Sequence, residues 1–138
     1  MRICFDLDGV IATTVSDELF DNFFKCIKSS KDKLIVLLMY EGGLRVGEVL
    51  GLWIEDLSIL NKQVRILPRD DLINEARAKS RFERFVDISS QLTKLLDDYL
   101  LFIRSDCWNT NHLFVNEKGA NTGKPLVYNT VYKMFKYY

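Results

Sequence analysis

The sequence has few of the residues from which metal sites and disulfide frameworks are built. Its 138 residues include one histidine, His112, and three cysteines, Cys4, Cys26 and Cys107. The cysteines are odd in number and lack the close spacing of zinc ligands. Such thiols are typical of buried or incidental positions in a reducing compartment, so we expect a cytoplasmic location.

Long apolar runs and net charge are also missing. No segment approaches the roughly 20 apolar residues that span a bilayer, so we expect no membrane association. The start does not resemble a signal peptide, since Asp6 and Asp8 interrupt any apolar run. The 19 basic residues balance the 19 acidic residues. This balance is unusual for a nucleic-acid-binding protein, so any affinity for DNA must come from local clusters of charge.

The residues that are present indicate a globular protein with helical periodicity. A hydrophobic fraction of 48% argues against disorder, and the length suits one domain or most of one. Apolar spacing predicts helices over 17–27 and 32–40. Another helix is predicted from Ser89 or Ser90 to about residue 103. Residues 34–39 are apolar on nearly all sides, which predicts a position at the centre of the core.

Two short segments have the composition of strands. Residues 63–67 and 84–88 are rich enough in β-branched and aromatic residues, with enough alternation, to form a hairpin. Together with the helices they predict an α+β fold class, mainly helical with a small antiparallel β-sheet.

In Glu41-Gly-Gly-Leu-Arg45-Val-Gly-Glu48, a glycine turn is followed by an arginine at the start of an amphipathic segment. If residues 46–53 form a helix, Arg45 and Glu48 lie on one face, and the acid can aim the guanidinium. A fixed guanidinium near a helix N-terminus is suited to bind a phosphate. The alternative is a surface salt bridge on a core helix. The segment resembles the first catalytic-arginine motif of the tyrosine recombinases, the phage integrase family.

The resemblance continues through the predicted hairpin. In this family a strand, a basic loop carrying a lysine and a return strand follow the arginine motif, and here the loop carries Lys79. From residue 62 to residue 84 there are seven basic and four acidic side chains, a surplus of three. A hairpin with this charge could lie along a DNA backbone, and the alternative is an ordinary solvated hairpin.

The family resemblance also covers residues 111–135, and it implies a further strand and helix there. In the family a His-x-x-Arg motif and a nucleophilic tyrosine come next, and this chain contains neither. His112 has Val115 three residues later and is interpreted as a strand-entry residue. Tyr137 and Tyr138 are interpreted as surface or core residues of the last helix. We therefore expect residues 15–138 to be a C-terminally truncated catalytic domain, inactive alone.

The resemblance implies a reaction in which a tyrosine breaks a DNA strand and rejoins it without metal or cofactor. Arg45 would stabilise charge on the phosphate, Glu48 would orient Arg45, and Lys79 would be the general acid. The implied partner is double-stranded DNA. The phosphate contacts implied for the hairpin are Arg77, Arg81 and Arg84.

The first residues resemble a different family. Met1-Arg-Ile-Cys-Phe-Asp6-Leu-Asp8-Gly-Val10 is similar to the first motif of haloacid-dehalogenase-like phosphatases, in which two aspartates hold magnesium. That fold needs a parallel sheet built from repeated βαβ units, and no such pattern follows. We expect residues 1–14 to be an extra leading segment. A magnesium-dependent phosphatase using Asp6 and Asp8 and a non-catalytic interaction module are the alternatives.

A truncated domain would expose apolar surface. The expected surface comprises residues 34–39 and the last helix, and it predicts self-association.

Overall fold

The computed structural model describes residues 18–69, 82–104 and 110–138 fully, together with the backbone of Asp17 and of four short strands before it. Five α-helices are the main elements of this structure. Their bounds are α1 Asp17–Cys26, α2 Ser30–Tyr40, α3 Val46–Leu50, α4 Ser90–Phe102 and α5 Tyr128–Tyr137. A 3₁₀ turn, Ile54–Asp56, follows α3.

The strands form three small sheets, and every strand pair among the described residues is antiparallel. The four short strands before α1 pair as β1 with β4 and β2 with β3, and the other three form one sheet in the order β5-β6-β7. The bounds are β1 Arg2–Ile3, β2 Asp6–Leu7, β3 Val10–Ile11, β4 Val15–Ser16, β5 Leu57–Ser58, β6 Gln63–Ile66 and β7 Arg84–Asp87. The predicted α+β class with a small antiparallel sheet is confirmed.

Helix α2 lies at the centre of the core, as its sequence predicts. Ser29 caps it by accepting a hydrogen bond from the amide of Asp32. Five of its apolar side chains are buried, namely Leu34, Ile35, Val36, Leu38 and Met39. The expected exposed surface at residues 34–39 is therefore wrong, because neighbouring helices and loops already cover this helix.

Helix α3 is shorter than the predicted span of 46–53. It ends at Leu50, with Gly51 as its C-cap, and Trp53 instead begins the 3₁₀ turn. Trp53 forms an isolated antiparallel bridge with His112. Trp53 is half-buried beside His112 and Arg69, so it continues the apolar pattern although the helix has already ended.

The final helix is attached to the start of α2. The Tyr138 hydroxyl donates a hydrogen bond to the Asp32 carboxylate at 3.3 Å, and Phe135 stacks against Phe23 of α1. Tyr137 is largely exposed. In the described part of the chain, no helix has the length and apolar character needed to cross a membrane.

Candidate functional site

A sharp glycine turn delivers the chain to Arg45. Gly43 has φ of 68°, a left-handed conformation that glycine adopts without strain. A Cβ atom at Gly42 would lie 2.7 Å from the carbonyl oxygen of Leu38, so the close approach there also requires glycine. This turn ends α2 and places Arg45 as the N-cap of α3, with its side chain exposed.

Glu48 fixes the backbone of Arg45 from inside the protein. It is the third residue of α3, and its Oε1 accepts a hydrogen bond from the Arg45 amide at 2.9 Å. This is the contact that an acid at this helix position makes with the N-cap amide. The residue is only 4% exposed. The acid therefore acts on the main chain of Arg45, and its effect on the guanidinium stays a prediction.

The guanidinium that Glu48 holds directly is that of Arg84, on strand β7. Arg84 Nη2 donates to Glu48 Oε1 at 3.0 Å, and Nη1 donates to Oε2, so the pair is bidentate. Burial disfavours the charged carboxylate, but the hydrogen bonds from Arg84 and from the Arg45 amide outweigh it and hold the pKa of Glu48 below its ordinary value. The carboxylate therefore carries a negative charge beneath the exposed Arg45 side chain.

A second buried carboxylate repeats this arrangement in the 3₁₀ turn that follows α3. Asp56 is the third residue of the 3₁₀ turn, and its Oδ2 accepts from the amide of Trp53 at 2.9 Å. Its side chain is 0% exposed, and Arg65 and Arg69 both bind it. Burial again disfavours the charge, but hydrogen bonds led by that of Arg69 hold the pKa of Asp56 below its ordinary value.

Arg69 joins three parts of the site. Its Nη1 and Nη2 donate to Asp56 at 2.8 and 2.9 Å, and Nη1 also lies 3.3 Å from the carbonyl oxygen of Gly51. Its guanidinium carbon lies 3.9 Å from the ring centroid of Trp53. Because its side chain is only 11% exposed, this cation is a bridge within the protein.

These ion pairs change the interpretation of the basic hairpin. Asp56 pairs with both Arg65 and Arg69, and Glu48 pairs with Arg84. Two buried acids therefore balance two of the three positive charges of these arginines, and part of the charge counted from the sequence is not available to a ligand. Of the site residues predicted from the sequence, Arg45, Glu48 and Arg84 lie together. The residues Lys79, Arg77, Arg81 and Asp8 and the side chain of Asp6 lie outside the described part.

In the sequence, Arg69 was only one of the seven basic residues counted between 62 and 84, and Asp56 was not identified at all. A signal was available, since Trp53-Ile-Glu-Asp56 has the same spacing of N-cap and acid as Arg45-Val-Gly-Glu48. The partner arginines could not be identified in this way.

His112 is a buried structural residue in the described fold. Its Nδ1 lies 3.3 Å from the Leu50 carbonyl oxygen, and its own carbonyl accepts from the buried Arg104 guanidinium. It forms only an isolated bridge with Trp53, and no strand follows it among the described residues, so the strand expected here is wrong, whereas the expected helix is present as α5.

The sequence and the fold define the class of this protein. The sequence model of the phage integrase family matches residues 12–138, so the chain belongs to that family. Transposase A from transposon Tn554 of Staphylococcus aureus is 44% identical over 103 residues, which are 75% of this chain and 28% of the transposase. The tyrosine recombinase XerD of Staphylococcus haemolyticus is 26% identical over 136 residues, 96% of this chain and 40% of the recombinase. The chain thus spans less than half the length of either relative.

Solved structures of recombinases share the fold. XerA recombinase aligns with a TM-score of 0.65 at 20% identity, over 87% of this chain and 39% of that one. The Tn1549 transposon integrase in complex with transposon right end DNA aligns with a TM-score of 0.62 at 16% identity, over 94% of this chain and 47% of that one. The mainly helical architecture is that of a tyrosine recombinase catalytic domain.

The phosphatase alternative is not favoured. The short strands at the start of the chain pair with antiparallel partners, whereas that fold requires parallel strands joined by helices. The family match and the shared fold instead support a partial site-specific recombinase domain.

Proposed function

We propose that this chain binds double-stranded DNA as part of the catalytic domain of a site-specific recombinase. The observation that carries the proposal is Arg45, an exposed guanidinium on a backbone fixed by a buried carboxylate. An arginine held in this way at a helix N-terminus is suited to bind a phosphodiester, because its backbone is fixed before the ligand arrives.

The family resemblance supports specific roles for the surrounding residues. Arg45 stabilises the negative charge on the phosphate that is attacked, and Lys79 donates a proton to the leaving oxygen. Arg77, Arg81 and Arg84 contact neighbouring phosphates, which position the duplex but do not read its sequence. The role of Arg84 is supported by its partial exposure, since its side chain remains 39% exposed beside Glu48. No metal or cofactor takes part in the proposed reaction.

The relatives give independent support for DNA as the ligand. Two of them are named a transposase and a tyrosine recombinase, and the Tn1549 integrase structure contains transposon DNA. We also propose a cytoplasmic location. We also propose weak self-association, and we propose that residues 1–14 form a leading segment outside the DNA-binding unit.

Binding is tested by the salt dependence of affinity for a mixed-sequence DNA duplex. Arg45→Ala should weaken binding and lower the slope of log K against log salt by roughly 0.9, the value for one lost phosphate contact. Lys25→Ala is the matched control, because it removes one exposed cation from α1. Equal effects of the two variants, or binding that does not depend on salt, would contradict the proposal.

Strand cleavage is tested separately with a nicked suicide substrate that traps any covalent protein–DNA product. The chain contains no His-x-x-Arg motif, and its single histidine is buried in the core. We therefore expect DNA binding without a covalent adduct. An adduct that survives denaturation would show that the 138-residue chain holds a complete active site.

A further inference from the structure

Helix α3 is too short to define its own orientation. It has five residues, and the exposed Arg45 precedes it as the N-cap. A small rotation of such a helix against the sheet would change the direction in which the Arg45 side chain leaves the surface. The contacts that hold its two ends therefore decide where the guanidinium can reach.

Each end of α3 is attached to the sheet through a buried carboxylate. At the first end, Glu48 binds Arg84 of β7. At the second end, Arg69 spans the gap between Asp56 and the carbonyl oxygen of Gly51, the C-cap of the helix. Arg69 lies three residues beyond the end of β6, so this contact joins the sheet directly to the end of α3.

The two attachments are neighbours. A shallow pocket beside α3 is lined in part by Glu48, Gly51, Asp56 and Arg69, so both carboxylates border the same small space. Asp56 also binds the Trp53 amide and Arg65 of β6, which adds the chain after α3 and the middle of the sheet to the same cluster. The second attachment is therefore rigid, because five hydrogen bonds from the three residues Trp53, Arg65 and Arg69 meet on one carboxylate.

We propose that Asp56 and Arg69 are positioning residues for the Arg45 phosphate site. They fix the C-terminal end of α3 against the sheet and so hold Arg45 in the direction that meets a phosphate. Neither residue contacts DNA itself, since the Asp56 side chain is fully buried and the Arg69 side chain almost so. This inference rests on the proposed function, in which Arg45 binds the DNA backbone.

A purely structural role makes a different prediction. If the cluster only stabilises the fold, its loss lowers the free energy of unfolding but leaves the contribution of Arg45 to binding intact in the folded protein. If the cluster positions Arg45, its loss removes that contribution. The two roles are separated by measuring the effect of Arg45→Ala with and without Arg69.

The experiment is a double-mutant cycle on the full chain, with a fluorescein-labelled mixed-sequence duplex and fluorescence anisotropy at low salt. In the unaltered chain, Arg45→Ala should weaken binding by about tenfold, the effect of losing one charge-assisted contact. In the Arg69→Met background the same substitution should change binding less than about twofold. Arg69→Met keeps an apolar side chain beside Trp53 and leaves Arg65 as a partner for Asp56.

Two further variants make the result decisive. Arg69→Lys keeps the charge but cannot bridge Asp56 and Gly51 with a planar fork, so it should restore part of the Arg45 effect. It serves in place of the methionine variant if that variant does not fold. Ile27→Val removes a methylene from a buried residue after α1 and should leave the full Arg45 effect. Circular dichroism establishes that each variant is folded under the binding conditions.

The outcomes separate the two proposals. If Arg45→Ala has no effect in the unaltered chain, the proposed function fails, and the positioning role fails with it. If Arg45→Ala weakens DNA binding tenfold in every background, the proposed function stands and the positioning role is overturned. Loss of the Arg45 effect in Ile27→Val as well would show that any destabilisation removes it, and this also overturns the positioning role.

Discussion

Two acids, Glu48 and Asp56, occupy the same position in consecutive short helical segments. Each is the third residue of its helix, accepts a hydrogen bond from the amide before the helix, and binds an arginine of the sheet, Arg84 for Glu48 and Arg65 for Asp56. A buried carboxylate is costly unless its hydrogen bonds are complete. These acids therefore depend on distant arginines, and the arginines depend on them.

Replacing Glu48 should reveal this dependence. Glu48→Gln keeps the shape but removes the charge that binds Arg84, and it should lower the free energy of unfolding by about 1–3 kcal/mol. The loss is smaller than for a fully buried pair, because water can solvate the partly exposed Arg84. Urea unfolding measures it. Glu83→Gln is the control, since Glu83 is 46% exposed and its contact with Arg65 is long, at 4.0 Å. Similar losses in both variants would contradict this account.

The single histidine makes the pH dependence of stability easy to assign. Burial lowers the pKa of His112, and the positive charges of Arg69 and Arg104 act in the same direction. The unfolded chain therefore binds a proton at higher pH than the folded chain does. The contribution of neutral His112 to the free energy of unfolding is complete above its unfolded pKa of about 6.5. This contribution is lost as the pH falls through the lower folded pKa.

The corresponding experiment compares the unaltered chain with His112→Gln by urea unfolding between neutral and mildly acidic pH. The difference in unfolding free energy between the two proteins should be constant above about pH 7. Below about pH 6 the unaltered chain should lose stability relative to His112→Gln. Burial raises the pKa of Asp32, which gives the opposite slope, but this effect is common to both proteins and cancels. Parallel curves throughout the range would show that His112 protonates equally in both states.

At the scale of elements, the ends of helices were harder to predict than their existence. The helices at 17–27, 32–40 and 89–103 are confirmed as α1, α2 and α4, within a few residues at each end. Helix α3 ends early because Gly51 follows it, while the apolar residues beyond serve a 3₁₀ turn instead of a helix. The short strand β5 was not predicted, since two residues provide no periodicity.

The start of α4 offers a test of capping, because the sequence left Ser89 and Ser90 as alternatives. In the structure Ser89 Oγ accepts from the Leu92 amide at 3.1 Å, whereas Ser90 Oγ accepts from Lys62 Nζ at the surface. Ser89→Ala should cost about 1 kcal/mol of unfolding free energy, and Ser90→Ala only a few tenths. Thermal or urea unfolding checks both. The reverse order would show that the cap lies one residue later.

At the scale of the whole molecule, the burial of α2 leaves other apolar side chains as the surface available for association. Leu101 and Phe102 at the end of α4 are neighbours in sequence, and both are largely exposed. Helix α5 exposes Tyr137, but its buried face packs Val131 into the core. The apolar surface is therefore smaller than the sequence suggested, so self-association should be weak.

Sedimentation velocity over a range of concentrations tests this expectation. The unaltered chain should show a rising average sedimentation coefficient, and the double substitution Leu101→Ser with Phe102→Ser should reduce the rise by removing exposed apolar area. Leu60→Ser is the control, because Leu60 is exposed but distant in sequence from the end of α4. A coefficient that stays at the monomer value at all concentrations would contradict self-association.

The sequence by itself determined the family, the main helices and the position of Arg45 at a helix start. These properties depend on local spacing: apolar residues every three or four positions, a glycine turn, and an acid three residues after the N-cap. Only the tertiary structure decided which arginines meet the two acids. Arg84 lies 36 residues from Glu48, and Arg69 lies 13 residues from Asp56. No periodic pattern in the sequence indicates these ion pairs, because the residues meet only when the sheet packs against α3.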